Sequence, residues 1–145
     1  IPDLAATAID FSDKALEVAY KNIERYELQP KITLLKNDLL TGLELQADLI
    51  TANLPYIPSD RLPNLEVSRY EPLSALDGGK DGFAIIRRLL AQLPDHLNPG
   101  GLALLEIDIS QAELCIHESS KIMTSATIDV INDLASLSRL LVIQT

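Results

Sequence analysis

Residues 53 to 56, Asn-Leu-Pro-Tyr, are the part of this sequence whose residue types and spacing could do chemistry. They directly follow the apolar, strand-like run 47–52, and a second proline, Pro58, comes two residues later. Proline fixes its own φ and drives the residue before it to extended geometry, so we expect a stiff loop at a strand end. Such a loop would present the side-chain carbonyl of Asn53, neighbouring backbone carbonyls and the ring of Tyr56 to one crevice.

This arrangement suits a planar NH₂ group. The two carbonyl acceptors would take its two hydrogens, the ring would pack on its face, and the nitrogen lone pair would point outward at an electrophile. That is catalysis by orientation, and it requires no strong base. A strand end followed by a proline turn, with the tyrosine in the core, would explain the same four residues without any chemistry. On these residues alone both interpretations stay open.

Acidic and amide side chains follow the other predicted strands as well. Asp10 ends the first strand, Asn37 and Asp38 follow the second, Glu106 lies in the fourth and Asp108 follows it. Ligands of parallel α/β sheets bind at the carboxyl ends of the strands, which predicts a polar site for a nucleoside. Asp10 would accept hydrogen bonds from ribose hydroxyls, and Asp38 would lie near the base. Asp and Asn are also common caps and turn formers, so a purely structural role stays open.

The elements that must position these side chains alternate between strands and helices. Ser12 is a suitable N-cap for the first helix, and Asp13 lies in the first turn, where the helix dipole favours an acid. The second helix covers residues 83–97 and is broken by residues 98–101, and the third covers roughly residues 111–123. The predicted strands are 4–10 (short and buried), 31–36, 47–52, 102–107, 127–131 and 139–144. This order predicts an α/β fold with a mostly parallel sheet, helices on both faces and antiparallel pairing of the last two strands.

Composition limits the classes of partner. The formal net charge of −9 argues against extensive direct contact with nucleic acid phosphates. No apolar run reaches the roughly 18 residues of a membrane span, so no membrane partner is expected. The single cysteine, Cys115, excludes an internal disulfide and, together with an acidic start to the chain, predicts a cytoplasmic location. No metal site is expected, because His96 and His117 have no Cys or His partner nearby.

The residues around the proline loop resemble a known group of enzymes. Asn-Leu-Pro-Tyr matches the [Asn/Asp/Ser]-x-Pro-[Tyr/Phe] motif of amino-group methyltransferases that use S-adenosylmethionine. The rRNA adenine dimethylases often carry Asn-Leu-Pro-Tyr itself. The release-factor glutamine methyltransferases, or HemK family, more usually carry Asn-Pro-Pro-Tyr-Ile and, further on, Glu-Pro-x-x-Ala-Leu-x-Gly-Gly-x-Asp-Gly. Residues 70–82 here, YEPLSALDGGKDG, resemble that second string closely.

Further matches to the HemK family extend the resemblance over essentially the whole chain. They are AIDFSDKALEVAYKN, NDLL and NPGGLALLEIDISQ. The resemblance implies a Rossmann-like class I methyltransferase sheet, mostly parallel with an antiparallel last strand, and S-adenosylmethionine as cofactor. It also implies the reaction, which is N-methylation of the glutamine side-chain amide in the Gly-Gly-Gln loop of a peptide chain release factor.

The resemblance assigns the proline loop to catalysis and substrate binding. Asn53 and the backbone carbonyl of Leu54 would grip the amide NH₂, while Pro55 and Tyr56 would shape and line the crevice. The reaction would be direct displacement on the sulfonium methyl group, for which alignment is the main task left to the protein.

The same resemblance assigns three residues to the cofactor. Asp10 would bind the ribose, and Asp38 with Leu39 would flank the adenine. Asn53 would also lie beside the cofactor, because it must bring the amide nitrogen to the methyl group.

Three departures from the family pattern affect these expectations. Leu54 replaces the usual first proline, and we expect this to be tolerated because Leu also supplies a carbonyl. Asp108 replaces a usual glycine, and a side chain there could crowd or repel. The Gly-rich cofactor loop should precede Asp10 by about 20 residues, yet only nine residues stand there and none is glycine.

We therefore expect residues 1–145 to be a single methyltransferase catalytic domain that is N-terminally incomplete, with its first, Gly-rich-loop strand and the family's N-terminal helical substrate-recognition domain missing. Weak cofactor binding, or none, would follow. Two alternatives stay open. One is an amino-group methyltransferase acting on nucleic acid, of the rRNA adenine type, favoured by Leu54 but disfavoured by the acidic charge and by EPLSALDGG. The other is an inactive methyltransferase remnant, which could form a homo-oligomer through an open sheet edge.

Overall fold

The computed structural model describes residues 4–145. The chain divides into two compact units, Ile1–Leu43 and Glu44–Thr145, and each unit has its own sheet. No helix in the described part of the chain is both long enough and apolar enough to cross a membrane.

The first unit is a βαβ arrangement. Its elements are β1 (Ala6–Asp10), α1 (Asp13–Arg25) and β2 (Ile32–Lys36). The two strands are parallel, with Asp10 opposite Lys36. Ser12 is the N-cap of α1, as predicted, and its Oγ accepts a hydrogen bond from the backbone N–H of Ala15 at 3.4 Å. The cap fixes the start of α1 directly after the carboxyl end of β1.

The prediction that β1 is a buried strand is wrong. It is shorter than residues 4–10, and Thr7 and Ala8 are exposed. Among the described residues β1 pairs with one strand only, β2, and α1 is the one helix of its unit. One partner strand and one helix leave much of its surface to solvent.

The second unit holds the larger sheet. Its elements are β3 (Ala47–Ala52), α2 (Ala84–His96), β4 (Leu97–Glu106), α3 (Ala112–Ile122), β5 (Thr127–Asn132) and β6 (Ser138–Gln144). The strand order is β3-β4-β6-β5. Strands β3 and β4 are parallel, whereas β6 is antiparallel to both of its neighbours. The predicted parallel sheet with an antiparallel last strand is confirmed.

Residues 98–101 break the second helix as predicted, but they do not separate it from the next strand. Strand β4 begins at Leu97, directly after α2, and contains these residues as a bulge. Leu97 lies opposite Ala47 and Leu102 opposite Leu49, so a step of two residues on β3 matches a step of five on β4. Gly100 allows the bulge, because its φ of +78° is one that other residues rarely adopt.

The core of the second unit forms between α2, α3 and the sheet. The largest fully buried apolar side chains are Phe83, Ile86, Leu90, Leu93, Leu105, Ile107, Leu141 and Ile143. Four of them come from α2 or from Phe83 directly before it. Leu105 and Ile107 anchor the carboxyl end of β4 in this core, and the candidate site residues of this unit follow the ends of β3 and β4.

Replacing Ser119 with alanine is expected to raise the free energy of unfolding by about 1 kcal/mol. Ser119 lies on α3, is fully buried, and its Oγ has no hydrogen-bond partner within residues 4–145. Alanine removes that unpaired hydroxyl and has a higher helix propensity. Urea unfolding would measure the change. The neighbouring Ser120→Ala is the control, because the exposed Ser120 hydroxyl donates to the carbonyl of Ile116 at 2.7 Å. A loss of stability in Ser119→Ala would contradict the claim that the buried Ser119 hydroxyl has no hydrogen-bond partner within residues 4–145.

Candidate functional site

The proline loop begins where β3 ends. Asn53 is exposed at the carboxyl end of the strand, and residues 54–58 are half-buried. No other residue in the described part of the chain forms a hydrogen bond with the Asn53 side chain. Its carbonyl and NH₂ groups are therefore available to a ligand, as the sequence interpretation requires.

The loop is braced by the segment that resembles the second family string. The N–H of Ile57 donates to the carbonyl of Leu76 at 3.0 Å, and the N–H of Gly78 donates back to the carbonyl of Ile57 at 2.9 Å. Further along, the N–H of Ser59 donates to the carbonyl of Gly79 at 3.0 Å. The two segments form a short parallel bridge, which fixes the path of the chain after Tyr56.

Two glycines make this close approach possible. A Cβ at Gly82 would lie 2.3 Å from the carbonyl oxygen of Tyr56, and a Cβ at Gly78 would lie 2.8 Å from that of Pro55. Both distances are too short for any side chain, so the backbones of the two segments are in direct contact. Residues 78–82 act as a brace for the proline loop.

Gln111 ties the loop and this brace together. It is 4% exposed, and its side-chain Nε2 donates to the carbonyls of Tyr56 at 3.1 Å and Gly82 at 2.9 Å. Its Oε1 accepts a hydrogen bond from the backbone N–H of Asp108 at 3.0 Å. One buried side chain thus joins the segments that follow β3, precede α2 and follow β4.

Sequence reasoning did not find this role of Gln111. The Asp108-x-x-Gln111 spacing is a helix-start signature, in which the glutamine caps the N–H of the first residue. That local signal would have predicted the contact with Asp108. The two bonds from Nε2 reach 55 and 29 residues along the chain, and no local pattern encodes them.

Tyr56 points its hydroxyl at Glu106, at the end of β4. The hydroxyl donates to Oε1 of Glu106 at 3.0 Å, and both side chains are half-buried. Burial raises the pKa of Tyr56, and the hydrogen bond to Glu106 and the charge of that carboxylate raise it further. The phenol therefore stays protonated at neutral pH, and the bond to Glu106 holds the ring in one orientation.

The Tyr56 hydroxyl is expected to ionise above pH 10.0, the usual pKa of the group. The absorbance of tyrosinate would be followed against pH in the parent and in Tyr56→Phe, and their difference isolates this residue. Because the folded state holds the proton more tightly, its contribution to stability is present below the unfolded pKa and is lost as pH rises above it. Glu106→Gln should move the step to lower pH. Ionisation of Tyr56 in the parent at or below the usual pKa of tyrosine would contradict the hydrogen bond to Glu106.

Asp108, which stands where the family usually has a glycine, has a structural role in the turn after β4. Its Oδ1 accepts a hydrogen bond from the backbone N–H of Ser110 at 2.9 Å and caps the turn Ile109–Gln111. Burial alone would raise the pKa of Asp108, but the bonds from Ser110 and the charges of Arg61 and Arg139 together lower it. The side chain starts the turn that carries Gln111, so it supports the site.

Three of the candidate cofactor residues, Asp10, Asp38 and Leu39, lie in the first unit. Asp10 ends β1, and its Oδ1 accepts a hydrogen bond from the backbone N–H of Ser12 at 2.7 Å. The N–H of Asn37 donates to the carbonyl of Asp10 at 3.1 Å, which joins the turn after β2 to the end of β1. Asp10 thus has the predicted turn-forming role through Oδ1, and its second carboxylate oxygen, Oδ2, is the one that could accept from a ribose.

Asn37 shapes the turn that contains Asp38 and Leu39. Its Nδ2 donates to the carbonyls of Leu39 and Thr41, both at 3.0 Å. Leu39 has a φ of +54°, which is rare for a side chain of its kind and marks a strained turn. This is the turn-forming role that the sequence analysis kept open for Asp and Asn residues at strand ends.

Each unit brings part of the predicted site together. In the first unit, Asp10 meets the turn of Asp38 and Leu39. In the second, Asn53, Leu54, Pro55 and Tyr56 lie at the end of β3, next to Glu106 and the turn of Gln111. The assignment of these residues to cofactor and substrate stays a prediction.

Solved structures share this fold. A methyltransferase from Pyrococcus furiosus matches with a TM-score of 0.69 and 23% identity, over 97% of this chain and 62% of that one. A methyltransferase from Streptococcus mutans, solved in complex with SAH, matches with a TM-score of 0.57 and 15% identity, over 97% of this chain and 75% of that one. The fold is that of the class I methyltransferases.

Curated relatives narrow the class to a family, although no family model matches the chain. The release factor glutamine methyltransferase of Gloeobacter violaceus is 37% identical over 145 residues, which is 98% of this chain and 51% of that protein. The one from Moorella thermoacetica is 43% identical over 78% of this chain and 41% of its own length. A ribosomal protein uL3 glutamine methyltransferase from Neisseria gonorrhoeae is 43% identical over 73% of this chain and 36% of its own length.

The chain belongs to the release factor glutamine methyltransferase family, which confirms the predicted resemblance. It spans about half the length, or less, of the curated relatives that it matches.

Proposed function

We propose that this protein is an S-adenosylmethionine-dependent methyltransferase that N-methylates a glutamine side-chain amide in a peptide chain release factor. The single observation that carries the proposal is the side-chain amide of Asn53, which is free of hydrogen bonds within residues 4–145. It is exposed at a strand end, beside a loop that is braced on its other side. The proposal includes a cytoplasmic location, since translation takes place there.

The loop residues orient the amide nitrogen. The side-chain carbonyl of Asn53 and the backbone carbonyl of Leu54 accept the two N–H bonds of the substrate amide. The ring of Tyr56, held by Glu106, packs on the amide plane and keeps it from rotating. An amide nitrogen is a poor nucleophile, and fixing its direction is the part of the barrier that a protein can remove by positioning.

In this proposal, residues of the first unit bind the nucleoside of the cofactor. Oδ2 of Asp10 would accept from ribose hydroxyls, and the strained turn at Leu39, next to Asp38, would lie against the adenine. S-adenosylmethionine, when bound, supplies a methyl group on a positively charged sulfur. Removing Asp10 with Asp10→Ala should weaken binding of S-adenosylhomocysteine, which calorimetric titration measures, and Asp13→Ala is the control because Asp13 is exposed and pairs with Lys36.

The choice of substrate is tested by comparing three candidate substrates in separate reactions. Purified release factor, uL3 and rRNA are each incubated with the protein and with S-adenosylmethionine that carries a labelled methyl group. The proposal expects label in the release factor. Label in uL3 instead would keep the reaction and change the substrate, since relatives of both names match this chain. Label in RNA, or in none of the three, would overturn the proposed function.

A further inference from the structure

We infer that Gln111 is a positioning residue, which sets the substrate-binding face of the proline loop through the backbone carbonyl of Tyr56. The inference rests on the proposed function for its catalytic consequence. It adds a residue that lies outside the Asn-Leu-Pro-Tyr motif and follows a different strand.

The hydrogen bonds of Gln111 exceed what a helix start requires. A glutamine in a capping box uses its Oε1 to accept one backbone N–H, and here that bond comes from Asp108. The Nε2 group is not needed for capping, yet both of its hydrogens are used, on the carbonyls of Tyr56 and Gly82. The side chain is buried, so each of these carbonyls would lose its partner without it.

The carbonyl of Tyr56 is a sensitive point of the loop. On its far side, the N–H and the carbonyl of Ile57 are already held by Leu76 and Gly78. On its near side, Pro55 has a fixed φ, so the chain between the bridge and β3 has few free torsions. Fixing the Tyr56 peptide therefore fixes the directions of the Leu54 carbonyl and the Tyr56 ring. Those are two of the three groups that would hold the substrate amide.

Gly82 shows that the structure makes room for this contact. A Cβ at Gly82 would lie 3.0 Å from Nε2 of Gln111 as well as 2.3 Å from the Tyr56 carbonyl oxygen. The carbonyls of Tyr56 and Gly82 converge on one amide group, and any side chain at position 82 would separate them. The glycine and the glutamine form one device that clamps the loop to residues 78–82.

The test uses Gln111→Met, which keeps the length of the side chain and removes all three hydrogen bonds. Two readouts are taken on the protein, namely amide hydrogen exchange at Ile57 and Gly78, and the kcat and KM of methyl transfer to the release factor. We expect faster exchange at both amides and a fall in kcat of about 10²-fold, the cost of a misplacement of about 1 Å. The KM for the release factor should change only a few-fold, since most contacts of a protein substrate lie elsewhere.

Two control variants separate positioning from loss of stability. Ile128→Val removes one methylene from a half-buried side chain on β5, the edge strand opposite β3 in the sheet, and should leave kcat and the exchange at Ile57 unchanged. Gln111→Glu keeps the acceptor for Asp108 but places a carboxylate oxygen against two carbonyls. It should fall in kcat at least as far as Gln111→Met, although its size and shape are those of glutamine.

Each outcome decides between the two proposals. Unchanged exchange at Ile57 and Gly78 in Gln111→Met would overturn the clamp. Faster exchange with an unchanged kcat, in a parent that methylates the release factor, would overturn the positioning role. If Gln111→Met exchanges faster at both amides but the parent protein methylates no glutamine, the clamp would be supported and the proposed function overturned.

Discussion

Asn53→Ala is expected to lower the rate of methyl transfer to the release factor by about 10²–10³-fold, the usual cost of losing one catalytic hydrogen-bond partner. The side-chain carbonyl of Asn53 is the acceptor that fixes one N–H of the substrate amide, and alanine leaves that N–H without a partner. Because Asn53 is exposed and its side chain makes no hydrogen bond within residues 4–145, its loss should change the free energy of unfolding by less than about 0.5 kcal/mol.

A matched pair of variants controls this result. Asn64→Ala removes another exposed asparagine from the same unit and should leave transfer unchanged. Asn53→Asp replaces the amide carbonyl with a carboxylate oxygen, which is still an acceptor in the same place. It should therefore retain more activity than Asn53→Ala. Transfer by Asn53→Ala at the parent rate would remove Asn53 from the reaction.

Gly82→Ala is expected to lower the free energy of unfolding by about 3 kcal/mol or more, from overpacking and an unfavourable φ together. The new methyl group would lie 2.3 Å from the Tyr56 carbonyl oxygen, and the φ of +71° disfavours any side chain. It would also push Gln111 away from both of its carbonyl partners. Urea unfolding of the variant and the parent gives the difference directly.

Gly100→Ala is the control for the backbone alone. Gly100 has a φ of +78°, and a Cβ there would have no atom within 4 Å. Its loss of stability should therefore be about 1–2 kcal/mol, the cost of the left-handed conformation without a clash. Equal losses in the two variants would mean that the contact between Gly82 and the proline loop contributes nothing to stability.

Local signals in the sequence predicted the elements that carry the site. Ser12 was predicted as an N-cap because its residue type and the helical spacing after it are both local features. The alternation of strands and helices predicted a mostly parallel sheet with Asn53 and Glu106 at the same edge, and β3 and β4 are indeed parallel neighbours. Fold class and strand ends depend on short-range periodicity, and a single sequence contains that information.

Contacts that join distant segments could not be predicted in this way. The bonds from Gln111 depend on how three loops meet, and neither residue type nor spacing encodes that meeting. The bulge at residues 98–101 depends on the register with β3, and neither strand alone encodes that register. The exposure of Thr7 and Ala8 depends on how many neighbours pack against β1.

The most direct test of the central claim is to locate the transferred methyl group by tandem mass spectrometry of the release factor after incubation with the protein and S-adenosylmethionine. The account predicts one added methyl group on the side-chain nitrogen of the glutamine in the Gly-Gly-Gln loop, and none when Asn53→Ala replaces the parent for the same time. A methyl group on any other residue, or equal methylation by Asn53→Ala, would contradict the claim that the proline loop binds and orients a glutamine amide.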